Sequence, residues 1–296
     1  MPGLFIGLTT LDLIYRAPQP PAANQKLVAS DYAVAAGGPA TNAAVAFAAL
    51  GNEATILSAV GCHPITHLIL ADLQQCGVQV CDLSPAKVEP PPVSSIIVTE
   101  VTGERAVISI NAVKTAVAVE SIPAGVLDGV DVVLIDGHQM HVGQAIAQQA
   151  KAQTIPVVID GGSWKDGFEH VLPLADFVIC SANFHPPGCR TEPDAIAYLQ
   201  TLGIPHIAIT HGEKPIQVCD LGQLSTIPVP QIRAVDTLGA GDIFHGAFCH
   251  YILQTSFVQA LEQAANVAAR SCQQFGTRAW MQVIGDIKER KDDLLR

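Results

Sequence analysis

Short apolar segments that alternate with helix-like segments constrain the fold of this 296-residue chain more than any other feature. The strand-like segments are apolar along their whole length, which is typical of parallel strands covered by helices on both faces of a sheet. They occupy residues 4–8, 54–60, 130–135, 155–159, 176–180 and 207–210, and helical patterns occupy 42–50, 66–76, 142–153 and 194–202. The alternation predicts an α/β fold with a doubly wound, mostly parallel sheet flanked by helices.

A predicted hairpin interrupts this alternation. Thr102-Gly103-Glu104 lies between two strand-like runs, the arrangement of a β-hairpin. With the strand-like segments before Gly37, it predicts a small separate sheet formed by about residues 12–36 and 93–112. Such a sheet is either a lid over a site or an edge element without a role. We expect one domain comprising residues 1–296, with this sheet as its lid.

Composition excludes several classes of protein. Hydrophobic residues make up 49% and charged residues 15%, which indicates a globular chain. A formal net charge of -11 argues against nucleic-acid binding, which needs a cationic face. The eight cysteines form no C-x-x-C pair, as expected of reduced thiols. There is no basic leader and no long apolar run, so we expect a soluble cytoplasmic protein that does not bind membranes.

The segment DTLGAGD, from Asp236 to Asp242, carries the strongest chemical signal. Apolar residues follow it with the spacing of one helix face, so Gly239, Ala240 and Gly241 form a small-residue turn before a helix. Backbone N–H groups at such a turn, with the positive end of the helix dipole, form an anion site. Asp242 in the first turn is either a helix cap or a base for phosphoryl transfer. The spacing alone leaves both interpretations open.

A second small-residue turn, Gly37-Gly38, precedes another predicted helix. Glycines allow close backbone approach, and Asn42 offers donors and acceptors that suit a hydroxyl-rich ligand. Asp12 follows the first strand, at the edge where parallel sheets bind ligands. An isolated aspartate at such a place is more often a turn residue, so its role stays open.

These motifs resemble those of the ribokinase-like (PfkB) carbohydrate kinase family, and the resemblance covers nearly the whole chain. The segment from Asp236 to Asp242 is similar to the C-terminal signature of that family, and Gly37-Gly38 with Asn42 to its N-terminal signature. The opening residues 6–12 and the predicted hairpin also match. Within the family, the chain is most similar to the ketohexokinase and sulfofructose kinase branches.

The resemblance implies ATP-dependent phosphorylation of a primary hydroxyl of a small sugar, a ketohexose or a pentose. It implies Mg²⁺ and often a stimulatory monovalent cation such as K⁺. Asp242 would be the catalytic base, and Gly239, Ala240 and Gly241 the anion hole. The sugar would contact Asp12, Gly38, Asn42, Arg105, Asp136 and His138, and the nucleotide would contact Asn183, Thr210, Gly212 and Asn266. Asp236 and the Leu238 carbonyl would lie at the monovalent cation.

One departure from the family pattern concerns Mg²⁺. Many members carry N-x-x-E, whose glutamate helps to organise metal and phosphate, but here Asn183 is followed by Pro186 at the glutamate position. Either another carboxylate substitutes, or the nucleotide holds Mg²⁺, an ion that keeps several of its waters.

Alternative functions follow from the same residues. A nucleoside kinase of the adenosine type would share every motif. A non-catalytic sugar- or nucleotide-binding protein would explain Pro186, although the intact Asp242 opposes it. A nicotinamide dehydrogenase and a P-loop NTPase are disfavoured because their glycine motifs are missing. A lid sheet with an exposed face often pairs with a second copy, which favours a homodimer through the lid.

Overall fold

The computed structural model describes residues 1–110 and 116–282, which form a large β-sheet covered by helices and a separate small β-sheet. The strands are β1 (Pro2–Ile6), β2 (Thr10–Ala17), β3 (Asp31–Gly37), β4 (Glu53–Ser58), β5 (Val78–Asp82), β6 (Val93–Thr99), β7 (Arg105–Ser109), β8 (Val132–Ile135), β9 (Val157–Gly161), β10 (Phe177–Ser181), β11 (His206–His211), β12 (Lys214–Asp220) and β13 (Gln223–Ile227). The α-helices are α1 (Pro39–Ala49), α2 (Thr66–Gln75), α3 (Met140–Ala152), α4 (Phe168–Val171), α5 (Glu192–Thr201), α6 (Ala240–Ile252) and α7 (Phe257–Ser271). Two short 3₁₀ turns occupy Val119–Ser121 and Leu172–Leu174.

The main sheet has nine strands in the order β13-β12-β11-β10-β9-β8-β1-β4-β5. All neighbours from β5 to β11 pair in parallel, and β12 and β13 extend the sheet antiparallel at one edge. One apolar cluster joins one face of the sheet to α1, α2, α6 and α7. A second cluster joins the other face to α3, α4 and α5. The prediction of a doubly wound, mostly parallel sheet is therefore confirmed.

The small sheet has four strands in the order β3-β2-β6-β7 and is separate from the main sheet. Its inner face carries Ile14, Ile96 and Val98, which pack against Leu238 and Phe275. This contact places the small sheet against the loop that precedes α6. The predicted segments 12–36 and 93–112 enclose most of this sheet, and residues 111–112 lie outside the described part of the chain.

Several element boundaries differ from those predicted. Helix α1 begins at Pro39, earlier than 42, because Gly38 is its N-cap and proline suits the first helical turn. Strand β3, the strand-like segment expected before Gly37, begins at Asp31. Strands β5, β12 and β13 and helix α7 were not predicted. In the part of the chain that the structure describes, no helix combines the length and apolar character that crossing a bilayer requires.

Candidate active site

Helix α6 begins at the small-residue turn predicted from the sequence. Gly239 is its N-cap in a left-handed conformation with φ 70°, which glycine adopts without steric cost. Ile243 and the apolar residues that follow it at helical spacing are buried, so they hold the helix against the main sheet. Asp242 consequently lies in the first turn, at the end of the helix where backbone N–H groups point outward.

The first turn of α6 offers unpaired backbone donors. Among the described residues, no protein acceptor receives the N–H of Gly241 or of Asp242. A Cβ atom added to Gly241 would meet no other atom within 4 Å, so space above this turn is open. Free N–H groups, open space and the positive end of the helix dipole together form an anion site.

Asp242 contacts the second predicted motif directly. The Nδ2 group of Asn42, on α1, donates a hydrogen bond of 2.9 Å to Oδ2 of Asp242. Burial, followed by the nearby Asp160 carboxylate, raises the pKa of Asp242 to about 6. The hydrogen bond from Asn42 and the charges of His245 and Arg105 act in the opposite direction. Such a carboxyl group is largely ionised at neutral pH and is still a better proton acceptor than a solvated aspartate.

Asp12 lies on β2, next to the Gly37-Gly38 turn. A Cβ atom on Gly37 would overlap the Asp12 carboxylate, so only glycine permits this approach. Thr10 Oγ1 donates a hydrogen bond of 2.7 Å to Asp12 Oδ1. Burial raises the pKa of Asp12, while hydrogen bonds from Thr10 and Ser94 oppose the rise. Asp12 is therefore held on the inner face of the small sheet, beside the turn that caps α1.

Asp136 follows β8 and is fully buried. Its Oδ2 accepts hydrogen bonds from the N–H groups of Leu8 (2.9 Å) and Ala40 (3.1 Å), and its Oδ1 accepts one from the His138 N–H (2.8 Å). Burial raises the pKa of Asp136, but His138, Lys165 and the Leu8 N–H outweigh it and lower the pKa to about 2. This carboxylate ties β8 to the first turn of α1, so the geometry gives it a positioning role.

A cavity of about 510 Å³ lies beside the end of β8. His138 lines it, with Nδ1 only 3.1 Å from Asp136 Oδ1. Trp164 and Lys165, from the loop after β9, line it as well. The volume lies in the range of small-molecule pockets.

The turn of the β6–β7 hairpin contacts the loop before α6. The Thr237 N–H and Oγ1 each donate to the Gly103 carbonyl over 3.1 Å. Arg105 is the first residue of β7, and its Nη1 donates to the Thr237 carbonyl over 2.9 Å. The small sheet is thereby joined to the segment that carries Gly239 and Asp242.

The residues predicted to bind the nucleotide lie on two neighbouring strand ends and on α7. The Ala182 N–H donates to the Thr210 carbonyl over 3.0 Å, which brings the turn that carries exposed Asn183 next to the end of β11. Gly212 has open space where a Cβ would lie. Asn266 is exposed on α7, where its Nδ2 donates to the Glu262 carbonyl of its own helix. The described hydrogen bonds do not connect Asn266 to the strand ends.

Asp236 is buried just before the α6 turn. Its two oxygens accept the N–H groups of Leu238 and Gly276, each over 2.8 Å. Burial raises the pKa of Asp236, and these hydrogen bonds oppose the rise. Each oxygen keeps a second lone pair, so the carboxylate fits a role as a ligand of a monovalent cation.

No group of three or more His, Cys, Asp or Glu side chains in the described ranges could hold a metal ion. Pro186, at the position of the family glutamate, is buried. Mg²⁺ keeps several of its waters and is commonly bound through nucleotide phosphates, so it needs few protein ligands.

Sequence reasoning missed four side chains that surround this site. Asp160, at the end of β9, and His245, on α6, are buried beside Asp242. Arg278 donates to Asn42 Oδ1 over 3.1 Å and also to Asp72 on α2. None of the four lies in a local motif, so only the tertiary structure identifies them.

The arrangement combines a carboxylate of raised pKa with an open set of backbone N–H donors in the same helical turn. A carboxylate so placed can accept a proton from a hydroxyl group, and the amides can stabilise negative charge on a transferring group. Asp12 and the Gly37-Gly38 turn add polar groups at the same edge. These are the components of phosphoryl transfer to an alcohol.

Comparisons with known proteins agree with this chemistry. The family model described as pfkB family carbohydrate kinase matches residues 4–283. The ribokinase of Lactococcus lactis is 25% identical over 98% of this chain and 96% of its own length. A putative ribokinase from Agrobacterium tumefaciens has a solved structure with a TM-score of 0.81 and 24% identity, covering 99% of this chain and 98% of that one. The Arabidopsis thaliana ribokinase complexed with ribose and ATP has a TM-score of 0.72 and 20% identity, with 93% of each chain covered.

Proposed function

Since the chain belongs to the pfkB family of carbohydrate kinases, we propose that it transfers the γ-phosphoryl group of ATP to a primary hydroxyl of a small sugar. The match of residues 4–283 to the family model confirms the resemblance that the motifs indicated. The chain is therefore an ATP-dependent carbohydrate kinase. We propose that the acceptor is a pentose or a ketohexose, and we also propose the role of each residue.

The observation that carries the proposal is the position of Asp242 beside the free N–H groups of the α6 turn. Asp242 accepts the proton of the attacking hydroxyl group, and its raised pKa matches it to that task at neutral pH. The free N–H groups of Gly241 and Asp242 stabilise charge on the phosphoryl group as it moves. Asn42 holds the carboxylate from the other side.

The acceptor sugar lies between the Gly37-Gly38 turn and the cavity beside β8. Asp12 accepts hydrogen bonds from sugar hydroxyls, and Asn42 has one N–H left to donate to the sugar. His138 borders the cavity and contacts the far end of the acceptor. Asp136, whose oxygens are occupied by protein N–H groups, positions α1 rather than contacting the sugar strongly.

The nucleotide lies over the ends of β10 and β11. Asn183, Thr210 and Gly212 border this region, and Asn266 on α7 contributes a further contact to the nucleotide. When bound to the phosphates, Mg²⁺ would supply positive charge that neutralises the transferred group. Asp236 would contribute a ligand to a monovalent cation beside the loop before α6.

The small sheet acts as a lid. Its inner face carries Asp12 and Arg105, and its hairpin turn is hydrogen bonded to Thr237. A lid at this place excludes water from the transferring phosphoryl group, which protects ATP from hydrolysis.

A coupled assay of ADP release across acceptors tests this proposal. Ribose, deoxyribose, fructose, fructose phosphates, ribose 1-phosphate and adenosine are compared, each with and without K⁺. We expect turnover with one of the sugars, dependent on Mg²⁺ and stimulated by K⁺. Turnover with adenosine alone would instead identify a nucleoside kinase, and no acceptor-dependent ADP release with any compound would contradict a kinase function for this site.

A further inference from the structure

Arg278 connects four segments around the candidate active site. Its guanidinium donates to Asp72 Oδ2 on α2 through Nε (3.2 Å) and Nη2 (2.9 Å). Nη2 also donates to the Ala36 carbonyl on β3 over 2.6 Å. Nη1 donates to Asn42 Oδ1 over 3.1 Å and to Thr277 Oγ1 over 3.1 Å. Arginine is therefore engaged through all three nitrogens, a geometry that lysine cannot reproduce.

The contact with Asn42 determines which way its amide faces. Arg278 has only donors, so the Asn42 atom that faces it must be the carbonyl oxygen. The opposite side of the amide then presents Nδ2 to Asp242, at 2.9 Å. Without a donor at Oδ1, only the contact with Asp242 orients the amide, and the hydrogen bond to the carboxylate is held less firmly.

Arg278 is held in place by an ion pair with Asp72. Asp72 Oδ2 accepts the two Arg278 donors and also the Ala36 N–H at 2.9 Å. The guanidinium and the Asp72 side chain are each only 18% exposed. An ion pair with this degree of shielding and two hydrogen bonds between its partners holds its geometry better than one on an open surface.

We propose that Arg278 is a positioning residue that fixes the Asn42 amide and, through it, the hydrogen bond that Asp242 receives. The inference rests on the proposed role of Asp242 as the base. Arg278 itself contacts no reacting atom in this account. It acts by keeping a donor aimed at the carboxylate, which favours the ionised form that accepts a proton.

Three other charged groups also influence the ionisation of Asp242. Asp160 approaches from β9 and favours the protonated form, whereas His245 on α6 and Arg105 on β7 favour the ionised form. The hydrogen bonds that the structure describes for Arg278 go to none of these three groups. A shift in the titration of Asp242 in such a variant therefore reports on the Asn42 contact.

Arg278→Lys tests the proposal because it keeps the positive charge but loses the planar guanidinium that donates through three nitrogens. We expect the acid limb of the kcat/KM profile to move up by about 0.5 pH unit and kcat to fall about 10-fold, with KM for ATP little changed. Trp280→Phe is the matched control, since it loses the hydrogen bond of 3.0 Å from Nε1 to the Thr277 carbonyl in the same segment. It should lower stability without moving the acid limb.

A double-mutant cycle with Asn42→Ala separates positioning from a structural role. Arg278→Lys should shift the acid limb in the wild-type background and leave it unchanged when Asn42 is already alanine. An equal shift in both backgrounds, or an equal shift in Trp280→Phe, would overturn the proposal. The titration of the Asp242 carboxyl carbon by NMR, without substrate, gives the same comparison independently of turnover. An inactive wild-type enzyme would contradict the proposed function, while this titration would still decide the role of Arg278.

Discussion

At the scale of single residues, the candidate site depends on a carboxylate whose surroundings oppose its ionisation. Burial and the Asp160 carboxylate raise the pKa of Asp242 to about 6, and only Asn42, His245 and Arg105 limit that rise. As the proposed base, Asp242 must be ionised, so we expect the enzyme to work above this pKa. A lower pKa would make the base weaker, which explains why burial at this position is useful.

The pH dependence of activity follows from this pKa. We expect kcat/KM for the sugar, measured at saturating ATP, to fall tenfold per pH unit well below pH 6 and to be level above it. The measurement is a series of initial rates from pH 4.5 to 8.5 at constant ionic strength. An acid limb near pH 4 would mean that Asp242 is not desolvated or is not the base.

The same burial predicts a cost in stability. The folded-state pKa of Asp242 lies above its unfolded value, so its ionisation destabilises the native state above pH 6 and the penalty disappears as the pH falls towards 4. Asp242→Asn should therefore raise the free energy of unfolding at pH 7 by on the order of 2 kcal/mol. Urea unfolding at pH 7 and pH 4 checks this, and a gain that is equal at both values would contradict it.

His245 is expected to tune the base. Its Nδ1 lies 2.7 Å from the Gly241 carbonyl and its Nε2 lies 3.2 Å from the Ile179 carbonyl, so both ring nitrogens face acceptors. A protonated ring satisfies both contacts, and its charge favours the ionised Asp242.

His245→Gln should move the acid limb of kcat/KM up by about 0.5 to 1 pH unit. His206→Gln is the control. His206, the first residue of β11, pairs with Asp220 and does not act on Asp242. Coincident pH profiles of His245→Gln and the wild type would remove His245 from this account.

At the scale of elements, the small sheet has two faces of different character. Its inner face carries Asp12 and Arg105, while its outer face is apolar and exposed. Tyr15 and Tyr32 lie directly opposite each other across β2 and β3, and Ile108 lies on the edge strand β7. Exposed fractions of 70% for Tyr32 and 77% for Ile108 are high for such side chains.

This outer face supports the expected homodimer. Ile108→Glu should convert a dimer to a monomer at micromolar concentration, because it places a charge within an apolar interface. Light scattering coupled to size exclusion measures the mass of each variant. Leu224→Glu, at a 72% exposed position on β13, is the control and should stay dimeric. A monomeric wild type, or a dimeric Ile108→Glu, would contradict pairing through the lid.

Elements with strong local signals are the ones that the sequence predicts well. The start of α6 is predictable because Gly239 and the small residues after it precede an unbroken apolar face. Strands β12 and β13 are not, since they pair antiparallel at the edge and mix polar with apolar residues. Helix α7 was not predicted, although its apolar residues recur at helical spacing.

At the scale of the whole molecule, the main sheet brings together residues that are far apart in the sequence. Asn42 and Asp242 are separated by 200 residues, and Asp72 and Arg278 by 206. The first pair is predictable in outline, because both belong to glycine-rich turns at helix starts along one sheet edge. The second is not, since an arginine in an irregular segment carries no local pattern and its partners are defined only by packing.

The central claim is that Asp242 accepts the proton during phosphoryl transfer, and rapid-quench measurement of the chemical step tests it most directly. A single turnover of γ-labelled ATP with the preferred sugar is compared in the wild type and in Asp242→Asn. We predict a fall of about 10²- to 10⁴-fold in the rate of phosphoryl transfer, with unchanged affinity for ATP and sugar. Equal rates of transfer in the two proteins would contradict the assignment of the base.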